Sequence, residues 1–156
     1  MTRATGWFGV AAFTLNALAC AGRAPEGLGL REGRLAPCPS SPNCVSSEAT
    51  DPGHRVGAFV VEGEMEAAWS GLRAWLEAQG RVRITVDEGD YLHAVFTTPV
   101  LRFRDDVEFH ARPERGEIAV RSASRGGYSV IGAHRKRGEA IRAELARRGL
   151  VRAASG

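Results

Sequence analysis

Between Val120 and Arg137 the chain reads VRSASRGGYSVIGAHRKR. This stretch holds Arg121, Arg125, Arg135, Lys136 and Arg137, the hydroxyls of Ser122, Ser124, Tyr128 and Ser129, and Gly126, Gly127 and Gly132, with no carboxylate. Guanidinium groups and hydroxyls on a permissive, glycine-bearing backbone suit one kind of chemistry, the holding of an anion. Ser122, Ser124, Arg125, Tyr128, Arg135 and Arg137 are therefore the candidate ligand-binding residues. If a helix begins near His134, its positive N-terminal end adds to such a site. Without an anion, the Arg135-Lys136-Arg137 cluster would face that end at a cost of roughly a few tenths of a kcal/mol per cation. Either an internal carboxylate, Asp105 or Asp106, or an external anion is required to offset it.

Asp105 joins the candidates through strand alternation. From Phe103 to Arg112 the alternation places Phe103, Asp105, Val107 and Phe109 inward and Arg104, Asp106, Glu108 and His110 outward. Ser122 and Ser124 share the inward face of the next strand. A buried carboxylate must be paired and hydrogen-bonded. Its partners are expected among those serines or an arginine from the turn beyond, which would make the group a structural latch instead of a ligand site. A serine hydrolase built from Ser122 or Ser124 with His93 and Asp105 is disfavoured, because the serines sit within a strand and no nucleophile elbow is present. No phosphate loop, dinucleotide fingerprint or metal-spaced histidines occur. The expectation is a non-enzymatic protein with no cofactor, no metal and no nucleic-acid partner. On the outward face, Asp106, Glu108, Arg121 and Arg125 read as cross-strand ion pairs worth under ~1 kcal/mol each.

The elements that must position these residues follow from periodicity. Val56 to Glu62 reads as a short strand. Glu64 to Gln79 reads as a helix on the stripe Met65, Trp69, Leu72, Leu76, widened by Ala68 and Trp75 and stopped by Gly80. Strands over Val82–Val86, Tyr91–Thr98, Phe103–Arg112 and Glu117–Arg125 are separated by turns at 87–90 and 113–116. A final helix from His134 to Arg148 carries only Ile141 and Leu145 as its apolar stripe. The fold class is α+β: an antiparallel meander of four to five strands with two helices packed on one face.

The chain has 156 residues, 44% hydrophobic and 25% charged, which suits one packed domain plus an extension. Its net charge of +3 conceals an asymmetry: 14 acidic against 8 basic residues from Ser47 to Ala119, then 2 against 9 from Val120 onward. The halves either neutralise each other in the fold or leave the basic end facing an anionic partner.

At the N-terminus Arg3 precedes an apolar run from Trp7 to Ala19, too short to span a bilayer, which reads as a secretory signal. Ala17-Leu18-Ala19 fits ordinary cleavage, and the following Cys20 fits a lipoprotein signal with lipidation at that cysteine. Lipid on Cys20 would leave Cys38 and Cys44, in CPSSPNC, as an even pair. In an oxidising compartment a small disulfide loop is expected there, since two cysteines without a nearby histidine make a poor zinc set. The organisation is then a lipoprotein-like signal over 1–19, a non-periodic tether over 20–36, a single domain over 37–150 and a tail over 151–156.

CPSSPNCVSS, YLHAVFTTPVLRFRDDVEF and VRSASRGGYSVIGAHRKR, in this order, resemble the domain of unknown function 1499 family, over about Leu35 to Leu150. The chain departs from that pattern at Val130, in place of an aspartate, and at His134, in place of an asparagine, so a family site using them is altered here. The resemblance implies a protein of a bacterial and chloroplast-lineage family, often exported or lipid-anchored, without an established activity. Together the readings describe an envelope protein, periplasm-facing and membrane-anchored, that binds a small anionic ligand or lipid headgroup. The alternative is a structural or interaction component in which the arginine-rich segment is an internal latch.

Overall fold

The computed structural model describes residues 27–126 and 131–154. The signal-like run, Cys20, Tyr128 and Val130 lie outside the described residues. Ten elements follow one another: β1 (Leu30–Arg31), β2 (Arg34–Leu35), β3 (Cys44–Ser46), β4 (Phe59–Val60), α1 (Met65–Glu77), β5 (Val82–Glu88), β6 (Tyr91–Thr97), β7 (Arg104–Arg112), β8 (Glu117–Ser124) and α2 (Ile131–Arg147). The expected helix, four-strand meander and helix are all present, and the fold is α+β.

The main sheet is antiparallel with order β3-β8-β7-β6-β5, and β4 pairs with β8 beyond the end of β3. A bulge interrupts β5 between Ile84 and Val86. The extra residue, Thr85, turns its side chain to the same face as Arg83 and His93, since its hydroxyl reaches the His93 ring. At the other sheet end, a single turn of 3-10 helix at Pro113–Arg115 closes on Gly116, whose φ of 61° suits a residue without a Cβ.

Both helices cover one face of the sheet. Helix α1 buries Ala68, Trp69, Leu72 and Leu76, as its spacing requires, and α2 buries Ile141 and Leu145. They close on Leu92, Ala94, Val107, Phe109, Ile118 and Val120 from the strands. Each fully buried Leu, Ile or Phe in this layer contributes ~1.5–3 kcal/mol relative to exposure. Gly71 lets α1 lie against the C-terminal segment, since a Cβ there would overlap the Leu150 side chain. Arg142 spans the layers differently. Its guanidinium lies 4.8 Å over the Phe59 ring and donates to the carbonyls of Gly57 and Ala58, both at 2.8 Å.

Four expectations need correction. Residues 27–36, expected as the end of a tether, form the β1–β2 hairpin, and this strap packs Leu35 against Tyr91 and Ala119 on the second face of the sheet. The middle of that face is therefore buried: Asp106 and Glu108 are both 0% exposed and Arg121 is 5% exposed. Phe103, expected inward, is 46% exposed, because the hairpin tip has left the helix-covered layer before β7 begins at Arg104. At the end of the chain, Val151, placed at the start of the tail, is buried and bridges Val61.

Cys38 and Cys44 form a disulfide. It ties the strap's exit to β3. The Glu48 carboxylate then holds the strap itself, accepting from the Leu35 amide at 2.6 Å and from Arg112 at 2.8 Å.

Candidate functional site

Because successive residues of a strand point to opposite faces, the adjacent Asp105 and Asp106 build two separate clusters. On the helix-covered face Asp105 accepts from Ser124 Oγ at 2.7 Å and from Arg137. Arg137 donates to Ser122 Oγ at 3.0 Å and to His134 Nδ1 at 3.1 Å. Ser122 Oγ lies 2.8 Å from the same ring nitrogen, and Ser124 Oγ lies 3.2 Å from Nε2. These partners fix the tautomer: Nδ1 accepts, Nε2–H donates to Ser124, and Ser124 passes its hydrogen to Asp105. Burial lowers the His134 pKa, with Arg137 adding to the shift and Asp105 opposing it.

The sequence thus places Asp105, Ser122, Ser124 and Arg137 together, and the structure adds His134 to them. All five are spent on one another, with Arg137 also lying 5.1 Å from the Phe96 ring centre. Arg135 stands apart. It caps the loop before β4, donating to the carbonyls of Arg55 and Gly53. Of the cations at the start of α2, Arg137 is met by Asp105 and Arg135 by these carbonyls.

Arg125 lies on the other face. Its guanidinium grips Asp106 through Nε and the terminal nitrogen at 2.8–3.2 Å, and His93 Nε2 meets the same carboxylate at 2.8 Å. Burial pushes the Asp106 carboxyl up, but the His93 and Arg125 hydrogen bonds outweigh it and hold the group below the usual carboxylate range. His93 Nδ1 faces the Thr85 hydroxyl at 2.6 Å. The imagined grouping of His93 with Asp105 and Ser124 does not form, since the sheet separates them. One step along the same face, Glu108 accepts from Tyr91 Oη at 2.8 Å, Arg121 at 2.7 Å and the Gly29 amide at 2.8 Å. Burial and the Glu108 charge raise the Tyr91 hydroxyl far above its ordinary value.

The strap covers the Glu108 end of this face and leaves the other end open. There a hollow of about 360 Å³ is lined by Arg81, Arg83, Thr85, Val95, Thr97, Arg104 and Arg125. Arg81, Arg83 and Arg104 are exposed and pair with no carboxylate among the described residues. No carboxylate lines the hollow. A second hollow of about 300 Å³ opens on the helix side of the same sheet corner, sharing Arg81 and Thr97 and reaching Phe96 and Arg137.

Sequence reasoning singled out Arg125 but missed Arg81, Arg83 and Arg104. The signal was present: no Asp or Glu occurs from Gly80 to Val86 or from Tyr91 to Arg104. Among the described residues no group of three His, Cys, Asp or Glu side chains is placed to hold a metal ion.

The model of a family described as "Protein of unknown function (DUF1499)" matches residues 34–145. The chain belongs to the DUF1499 family. The DUF1499 match takes in β2 through most of α2, and with them both aspartate clusters and the arginine-lined hollow. No curated protein and no solved structure matches the chain. The chemistry available in this DUF1499 domain is consequently read from its own side chains. One face holds a closed polar latch, and the other holds a buried acid–imidazole pair beside an open, purely cationic hollow.

Proposed function

We propose that this DUF1499 protein is a non-enzymatic module that binds a small anionic group, a phosphate or carboxylate, in the hollow formed by Arg81, Arg83, Arg104 and Arg125. The observation that carries the reading is the surplus of charge. Four guanidinium groups line one hollow, and only Arg125 has a carboxylate to answer it. Arginine's planar fork suits oxyanions, and Thr85 and Thr97 bring hydroxyls to the same wall. Asp106 and His93 act from behind, holding Arg125 in place. The site thereby moves from the arginines of α2 to the opposite face of the sheet.

The same reading places the protein in the cell envelope, outside the cytoplasm, with lipid on Cys20. Support comes from the signal-like run before Cys20 and from the Cys38–Cys44 disulfide, which suits an oxidising compartment.

The test is a thermal-shift series with phosphate, glycerol phosphate and dicarboxylates. A ligand present at 100 times its Kd stabilises the fold by about 2.7 kcal/mol. Phosphate protection at millimolar concentration, lost in the Arg83→Ser, Arg104→Ser double variant, is the expected result. No protection by any of these anions would defeat the reading.

A second reading is favoured by the Asp105–Arg137 contact and the serine and histidine bonds around it. Here the arginine-rich segment is an internal latch, and the domain serves as a structural or interaction component of the envelope.

A further inference from the structure

The turn between β6 and β7 has an unusual surface. Its residues are held in a closed hairpin by the Thr98 amide on the Phe103 carbonyl and the Phe103 amide on Thr98 Oγ1, both at 2.9 Å. From this tip project Val100, 85% exposed, Leu101, 64%, and Phe103, 46%, three of the four exposed large hydrophobic residues among those described. Side chains of this kind gathered at one point have a cost in water that a soluble surface ordinarily avoids.

The charge around the tip is one-sided. Arg102 and Arg104 stand within it or at its base, Arg83 stands on β5 and Arg81 just before it. In a meander the β6–β7 turn lies at the end of the sheet opposite the β5–β6 and β7–β8 turns. Those opposite turns carry Asp87, Glu88, Asp90, Glu114 and Glu117 against Arg112 and Arg115, a surplus of acid. The two ends of the meander therefore differ in sign, and the positive end is also its apolar point.

We infer that this tip docks on an anionic lipid bilayer, with Val100, Leu101 and Phe103 entering the boundary of the acyl chains and the surrounding arginines contacting headgroup phosphates. A protruding apolar point inside a collar of cations matches a medium whose apolar interior lies beneath a charged layer. It does not match the flatter, mixed surface of a protein partner. The inference rests on the reading that the arginine hollow holds an anion, and it names the source of that anion as a lipid headgroup.

The test places a probe at the tip of the full chain. Leu101→Trp adds an emitter at an exposed position, and the chain without this change, prepared in the same way, gives the background from its native tryptophans. With vesicles of phosphatidylglycerol brominated along the acyl chains, the added emission should shift to the blue and fall at least twofold, with no change on phosphatidylcholine alone. The Arg83→Ser, Arg104→Ser variant should weaken this partitioning roughly tenfold or more. Emission that stays unquenched on anionic vesicles overturns the inference. So does a blue shift that grows with protein concentration in the absence of vesicles, which would show a second copy covering the tip. Phosphate protection with an unquenched tip would leave the anion-binding reading standing and remove the bilayer as its source. Quenching that ignores both arginine substitutions would remove the headgroup contact.

Discussion

Asp105 and Asp106 are neighbours in the chain, yet they point through opposite faces of one sheet, and each meets an arginine from the segment after β7. Asp106 meets Arg125 just past the end of β8, and Asp105 meets Arg137 within α2. Two consecutive carboxylates of one strand thus hold two arginines that lie twelve positions apart in the chain.

The Asp106 pin is the costlier to break, because that carboxylate is fully buried and also holds His93. Asp106→Ala would strand a guanidinium and an imidazole, and a loss of ~3–5 kcal/mol in urea unfolding is expected. The Asp106→Ala, Arg125→Ala pair should lose less than the sum of the single changes, as groups in direct contact do.

His134 supplies a pH dependence. Burial depresses its pKa in the folded state from the ordinary value of 6.5. Below about pH 6.5 the unfolded chain takes up a proton that the folded ring resists, so stability is complete above that pH and declines as pH falls below it. The decline is at most ~1.4 kcal/mol per pH unit for this one group. His54, raised by its bond to Asp51, acts with the opposite sign, so the comparison keeps His54 intact. Melting temperatures between pH 7 and 5 should fall less steeply in His134→Asn than in the parent chain.

The strap depends on Glu48 and on the disulfide. Replacing Cys38 and Cys44 with serine should lower stability by ~2 kcal/mol through loop-closure entropy. Glu48→Ala removes the acceptor of the Leu35 amide, and hydrogen exchange at that amide should then quicken before exchange in β6 or β7 does.

Arg83 and Arg104 should be dispensable for folding. Both are exposed and unpaired among the described residues, so replacing either with serine is expected to change unfolding free energy by no more than ~0.5 kcal/mol. A larger loss in chemical denaturation would mean that the hollow's charge serves the fold.

Much of the fold was legible because single patterns decide single elements. The stripe of Met65, Trp69, Leu72 and Leu76 requires α1, and the alternation of Val107 and Phe109 with Asp106 and Glu108 assigns the two faces of β7. Alternation names the face of a residue but not what covers that face. Asp106, Glu108 and Arg121 therefore read as exposed until the strap is seen lying over Glu108. The strap escaped notice because two strands of two residues leave no period. Phe103 misled because its alternation runs past the end of the regular strand. At the candidate site, the partnership of Asp105 with Ser124 and Arg137 could be expected from the cost of burying a carboxylate. The role of His134 could not, since it depends on where the first turn of α2 sets the ring.

The bulge at Thr85 has a consequence for how these molecules tolerate crowding. Among the described residues β5 is the last strand of its sheet and has an unpaired border, the kind of edge along which chains add to one another into aggregates. Its ladder is broken midway by the bulge, and Arg81 and Arg83 stand exposed at its start. A neighbouring strand would find neither a flat run of amides and carbonyls nor an apolar row to follow. The same few residues that open a cationic hollow on one face also deny the sheet's border to other copies of the chain.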